Sequence, residues 1–213
     1  DDLGRSAIFF NANAADPEKR SEILSAMQSK SEELGSPLVI RVLLHSLAFG
    51  TLKPFIAQSQ AEAISKPQMD MTLDVMANSL VYWTQDLVAK QFMGRGSRIF
   101  SMTSAGGARV WRTYGAVSAA KSALESHTRQ LALELAPLGI TANAIMAGVT
   151  DTPALRKIPG STEMIDLAKR KNPSGRLTLP KDVADAIGLL SQPKGQWITG
   201  NVICVDGGEF IVD

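Results

Sequence analysis

The stretch LALELAPLGITANAIMAGVTDTPAL, residues 131 to 155, decides the fold. Its first five residues close a helical pattern that opens near residue 114, and ITANAIM (140–146) follows as a short apolar run that ends in Ala147-Gly148. Four more runs of this kind occur, AIFF (7–10), LVIRVLL (38–44), RIFSM (98–102) and NVICV (201–205), and all five read as buried parallel strands. Longer helical patterns lie between them, at about 70 to 93, 114 to 135, 162 to 171 and 180 to 191. The first helix is announced by Asp16 as N-cap with Pro17 next, carries Ile23, Leu24 and Met27 on one face, and stops at Gly35 before Pro37. Strands separated by helices imply a doubly wound α/β parallel sheet, here a single domain over residues 1–213, with its ligand beyond the carboxyl ends of the strands.

Composition narrows the function classes. Hydrophobic residues make up 45% and charged residues 20%, an ordinary globular balance that argues against disorder and coiled coil. Twenty-two basic and 21 acidic residues are scattered along the chain for a net charge of +1, so there is no electrostatic footprint for nucleic acid. Cys204 is the single cysteine, no run of about 18 apolar residues exists, and His45 and His127 stand far apart. The expectation is a cytoplasmic protein with no metal, nucleic-acid or membrane partner.

Two features bear on a site. Residues 150 to 176, TDTPALRKIPGSTEMIDLAKRKNPSGR, form a long connection after a strand, the usual place of a substrate lid, although an insertion without function is the plain alternative. YGAVSAAK (114–121) places Tyr114 seven positions before Lys121 at the start of a helix. A spacing of seven returns to within about 20 degrees of the same helix face, so the two side chains share a side, about 4.5 Å farther apart along the axis than a spacing of four would give. No glycine-rich turn of the G-x-G-x-x-G or G-x-x-x-G-x-G type follows a strand and opens a helix in the 213 residues.

From Ala7 onward the chain resembles the short-chain dehydrogenase/reductase family. FFNANAAD looks like the third strand and adenine-contacting turn, with Asn13 where an acidic residue is usual; LLHSLAFG stands at the Asn-Asn-Ala-Gly strand end. LDVMANSLVYWTQ places Asn78 at the family's structural and catalytic asparagine, RIFSMTS ends in the serine region, and WITGNVICVDGG matches the last strand. The resemblance implies that the first βαβ unit, roughly 50 residues, is missing from this chain. Most members carry Tyr-x-x-x-Lys, but four before Lys121 stands Val117, and the Tyr-x6-Lys spacing is instead similar to the enoyl-acyl-carrier-protein reductases.

That likeness implies a reduction of the carbon–carbon double bond of trans-2-enoyl thioesters in fatty-acid synthesis, with NADPH or NADH. Tyr114, Lys121, Ser104 and Asn78 would be catalytic, with Lys121 on the nicotinamide ribose, its charge helping to keep the Tyr114 phenol acidic. Asn13, Ser46, Leu47, Ala48, Gly148, Val149, Thr150 and Thr152 would contact the cofactor. Acyl-carrier protein would be the carrier of the substrate, drawn by Arg156, Lys157, Lys169, Arg170 and Lys171, and the assembly would be a homotetramer. A carbonyl reductase or alcohol dehydrogenase of the same family, or a non-catalytic cofactor-binding module, is the alternative. Ser104, where many enoyl reductases have a second tyrosine, is the feature closest to the ketone-reducing members.

Overall fold

The computed structural model describes Gly4 and residues 6–212. The chain forms two compact units, Asp1–Leu38 and Val39–Asp213. The first holds helix α1 (Pro17–Glu33), capped as its sequence requires: the Asp16 carboxylate accepts the N–H groups of Glu18 and Lys19 at 2.9 and 3.1 Å. Leu24 is its buried residue, and Gly35 takes a left-handed φ of 62° just past the end.

The second unit is built on four parallel strands in the order β1 (Val42–His45), β2 (Arg98–Ser104), β3 (Thr141–Ala147), β4 (Val202–Val205). Helices α2 (Lys66–Leu73) and α3 (Ser79–Ala89) lie between β1 and β2, and α4 (Gly115–Leu135) lies between β2 and β3. Helices α5 (Ser161–Lys171) and α6 (Pro180–Leu190) precede β4. The central pair carries the core: Ile99, Phe100, Ala142, Ala144 and Ile145 are buried, with Leu80 and Leu124 supplied by α3 and α4. Residues of both parities are inaccessible on β2 and β3, so both faces of those strands are covered.

Three expectations from sequence are corrected. AIFF (7–10) is not a strand, and Phe9 is 90% exposed; apolar character makes a strand only where a neighbouring backbone closes the ladder, and none pairs there among the described residues. LVIRVLL and NVICV are strands only over Val42–His45 and Val202–Val205, and they are edge strands with alternating exposure instead of buried ones, Val42, Leu44 and Val202 lying open. The helix expected at 70 to 93 begins at Lys66 and is interrupted by a π-helical turn at Asp74–Asn78 before α3 resumes at Ser79.

That turn has a physical cause in its cross-links. The Ser79 hydroxyl donates to the Val75 carbonyl at 2.8 Å and so must accept from His45 Nε2, also at 2.8 Å, tying the end of β1 to the turn. Asn78 Oδ1 accepts from His127 Nε2 at 3.0 Å, tying the same turn to α4. Two buried or half-buried side-chain bonds to neighbouring elements hold a wide turn that backbone propensity alone would not select.

Candidate active site

The loops that leave the carboxyl ends of β1, β2 and β3 converge on one cleft of about 780 Å³, whose lining is mainly apolar and which the 150–171 connection also borders. This is where ligands bind in open parallel sheets. Residues 46–50 reach it because Gly50 presses against α2 and α4; a β-carbon there would stand 2.8 Å from both Thr72 and Val117. Thr51 N–H donates to Thr72 Oγ1 at 3.0 Å and fixes the same loop.

Helix α4 presents a buried stripe of Ala116, Val117, Ala120, Leu124, Thr128 and Leu131, and Lys121 lies within it, only 6% exposed. A buried ammonium needs partners, and it finds Met102 O at 2.6 Å and Leu47 O at 3.4 Å. Those two bonds leave one of its three N–H donors for the cleft that it lines. Burial holds its pKa down at about 8, with Glu125 pulling the other way. Glu125 is itself anchored by the Thr103 hydroxyl at 2.7 Å.

Tyr114 is the N-cap residue of α4, one turn before Val117. Its ring fits against the 105–107 turn only because Gly106 has no side chain: a β-carbon there would lie 2.6 Å from Tyr114 Cε1. Ser118 and Ser122 fasten that turn to α4 by donating to the Gly106 and Gly107 carbonyls. Burial raises the Tyr114 pKa, and the neighbouring Ser104 hydroxyl works against the rise. The expected acidifying hand of Lys121 is not among the influences on the phenol; desolvation dominates instead.

The cleft therefore brings together Tyr114, Ser104, Lys121, Ser46, Leu47, Ala48, Gly148, Val149, Thr150 and Thr152. Thr152 Oγ1 accepts from Leu155 N–H at 3.1 Å, and Thr150 Oγ1 donates to Gly148 O at 3.0 Å. Asn78 is not part of the lining, where Met76 stands instead, and its Oδ1 is engaged with His127. Asn13 belongs to the first unit, where its side chain accepts from Ala15 N–H at 3.1 Å. His127 is half-buried, and His45 is buried and held neutral, its pKa pushed down to about 4 by desolvation and then by the Lys121 charge.

Sequence reasoning passed over Glu209, a buried carboxyl in the cleft wall whose Oε2 accepts from Val149 N–H at 3.1 Å. Nothing marks it in the sequence except the Gly207-Gly208 turn before it, which turns it back toward β3. Trp111 was also missed; it lines the cleft and donates to Pro159 O at 3.0 Å, tying the 150–176 connection to the loop after β2. Among the described residues, no group of three or more metal-ligating side chains is gathered, and no helix is long and apolar enough to cross a membrane.

Comparison with known proteins agrees with this architecture. A family model described as enoyl-(acyl carrier protein) reductase matches residues 2–209. The chloroplastic NADPH-dependent aldehyde reductase-like protein of Arabidopsis thaliana is 30% identical over 207 residues, which are 96% of this chain and 72% of that protein. The NADH enoyl-acyl-carrier-protein reductase of Aquifex aeolicus is 30% identical over 171 residues, 80% of this chain and 62% of its own length. The crystal structure of that enzyme superposes with a TM-score of 0.80 at 28% identity, covering 93% of this chain and 74% of the other. The Bacillus cereus enoyl-acyl carrier protein reductase, solved with NADP+ and an indole naphthyridinone, superposes with a TM-score of 0.84 at 25% identity over 99% of this chain and 78% of that one. The parallel sheet, the cleft at its carboxyl edge and the family match along nearly the whole chain place this protein in the short-chain dehydrogenase/reductase family, in the group described as enoyl-(acyl carrier protein) reductase.

Proposed function

We propose that the cleft reduces the carbon–carbon double bond of a trans-2-enoyl thioester with a reduced nicotinamide cofactor, NADH or NADPH. The observation that carries this reading is the pair of α4 positions: Val117, 5% exposed and without a proton to give, and Tyr114, one turn earlier in the cleft beside Ser104. The residues present suit the nicotinamide end of such a cofactor. Ala105, Gly106 and Gly148 line the cleft with little bulk, and the remaining Lys121 donor suits a ribose hydroxyl. The glycine-rich turn for a pyrophosphate is not among the 213 residues.

When bound, the cofactor supplies hydride to the β-carbon of the enoyl thioester. Negative charge then develops on the thioester oxygen, three bonds away, so the hydrogen-bond donor belongs at a distance from the hydride acceptor. Tyr114 is a phenol that burial makes harder still to ionise, and it donates to that oxygen as the charge grows. Ser104 lies beside the phenol, and the enolate takes the proton it needs at the α-carbon from solvent, while Tyr114 keeps its own. Leu52, Trp111 and Ile158 give the acyl chain an apolar wall. Residues 150 to 176 act as a lid hinged by the Trp111 bond to Pro159. A thioester on acyl-carrier protein, a place in fatty-acid synthesis, the cytoplasm as its location and a homotetrameric assembly complete the reading.

The test compares crotonyl and acetoacetyl thioesters with each cofactor, in the wild type and in Tyr114→Phe. Enoyl reduction that falls about 100-fold in the variant is expected, the size that loss of a transition-state donor produces. Ketone reduction without enoyl reduction would overturn the proposal in favour of a carbonyl reductase, a reading that Ser104 beside Tyr114 and the Arabidopsis relative favour.

A further inference from the structure

One carboxyl group in the cleft wall is not used by that mechanism. Glu209 is 8% exposed, yet it lines the cleft within the 3₁₀ turn Glu209–Ile211. Its Oε2 accepts the Val149 N–H at 3.1 Å, while Thr150 Oγ1 donates to the carbonyl of Gly148 at 3.0 Å. The peptide joining Gly148 to Val149 is thus gripped at both polar atoms. Gly148 N–H is engaged as well, donating to Val205 O at 3.2 Å. Space behind the turn is tight: a β-carbon on Gly148 would stand 2.3 Å from Thr178 Oγ1 and 3.0 Å from Glu209 Oε2.

We infer that Glu209 is the positioning residue of the 148–150 turn: it fixes the peptide plane of the cleft wall and thereby sets affinity for the nicotinamide end of the cofactor. The inference rests on the nicotinamide reading of the cleft and adds a residue from the far end of the chain to it. A carboxyl group suits the task because either of its charge states keeps an oxygen that accepts an N–H. Burial is a cost that the fold tolerates for that bond; the charged groups that bear on the carboxyl are Asp206, Arg109 and Lys171. Asp206 is occupied elsewhere, accepting the N–H groups of Gly208 and Phe210 at 3.0 and 2.8 Å, so it holds the turn that delivers Glu209 and does not replace it. Without ligand, the Val149 N–H is held inside the protein by its bond to Glu209.

The experiment uses Glu209→Ala and Glu209→Gln in the full chain, with two readouts. The first is amide exchange of the peptide covering residues 148–152 without ligand, which is independent of any activity. The alanine variant should exchange there about tenfold faster or more, and the glutamine variant, which keeps an acceptor oxygen, should stay within about twofold of wild type. The second is the dissociation constant of NADH and NADPH by fluorescence, together with the Michaelis constants. Alanine should weaken cofactor binding about tenfold with kcat for the thioester little changed, and glutamine should restore it. Equal exchange in all three proteins would overturn the inference, as would a glutamine variant as weak as alanine, which would make charge and not positioning the cause. If the wild type binds neither cofactor, the nicotinamide reading of the cleft fails and takes the affinity part of the inference with it, while the exchange readout still decides whether Glu209 holds the turn.

Discussion

Lys121 is a cation placed where the α4 pattern calls for an apolar residue, and its surroundings decide how it behaves. Desolvation disfavours the ammonium, and two backbone carbonyls recover part of the loss without adding a formal negative charge. The folded pKa of about 8 lies below the ordinary 10.5, so between those values the unfolded chain binds the proton that the folded chain releases. Stability should therefore rise with pH through this window, with a slope of up to about 1.4 kcal/mol per pH unit, while below it the cost of the buried charge is present in full and constant with pH. Denaturant titrations from pH 7.5 to 10 would show the rise, and Lys121→Met should flatten it; an unchanged slope in the variant would refute the burial argument. Over the same window the bound ribose would lose its charged donor, so cofactor affinity should fall while stability climbs. The opposed directions distinguish a functional lysine from a merely awkward one.

At the scale of elements, the π-helical turn at Asp74–Asn78 shows what spacing alone conceals. The periodic pattern of Met76, Leu80 and Trp83 reads as one helix because a single wide turn shifts the phase too little to break the apolar stripe. Its causes are long-range: His45 and His127 lie 34 and 49 positions from their partners Ser79 and Asn78. The central strands, the Asp16 cap and the Tyr114 to Lys121 register were legible because each is set by local sequence or by an apolar run buried on both faces. Edge exposure at Leu44, the exposed Ala7–Phe10 run and the cleft role of Glu209 were not, since each depends on which backbone lies alongside. The geometry assigns Asn78 to the tether with His127. His127→Ala and Asn78→Ala should each cost about 1 kcal/mol, and the double variant should cost scarcely more than either single one. Urea unfolding of the four proteins measures this coupling, and strict additivity would dissolve the tether. A turnover loss of 100-fold in Asn78→Ala at unchanged stability would give the asparagine the catalytic role that the family likeness implies.

For the whole molecule, a net charge of +1 conceals an uneven placement along the border of the cleft. Arg156 is neutralised by Asp151 at 2.8 Å, and Arg176 by Asp182. Lys169 and Arg170 remain exposed in the last turn of α5, where the helix carbonyls favour cations, and Lys171 and Lys157 line the cleft itself. An acidic carrier domain meeting this rim would gain in encounter rate more than in contact energy, because the charges are solvated. Reversing both Lys169 and Arg170 to glutamate should therefore raise the Michaelis constant for a carrier-bound enoyl substrate several-fold at low salt, with the difference shrinking toward one near 0.5 M salt as the Debye length contracts. The control is a neutral pantetheine thioester, since coenzyme A carries phosphates that would respond to the same charges. Its Michaelis constant should not move. An equal rise for both substrates would place the effect in the cleft and not in docking, and no rise for either would leave the rim an ordinary solvated helix end, with the acyl group alone supplying recognition.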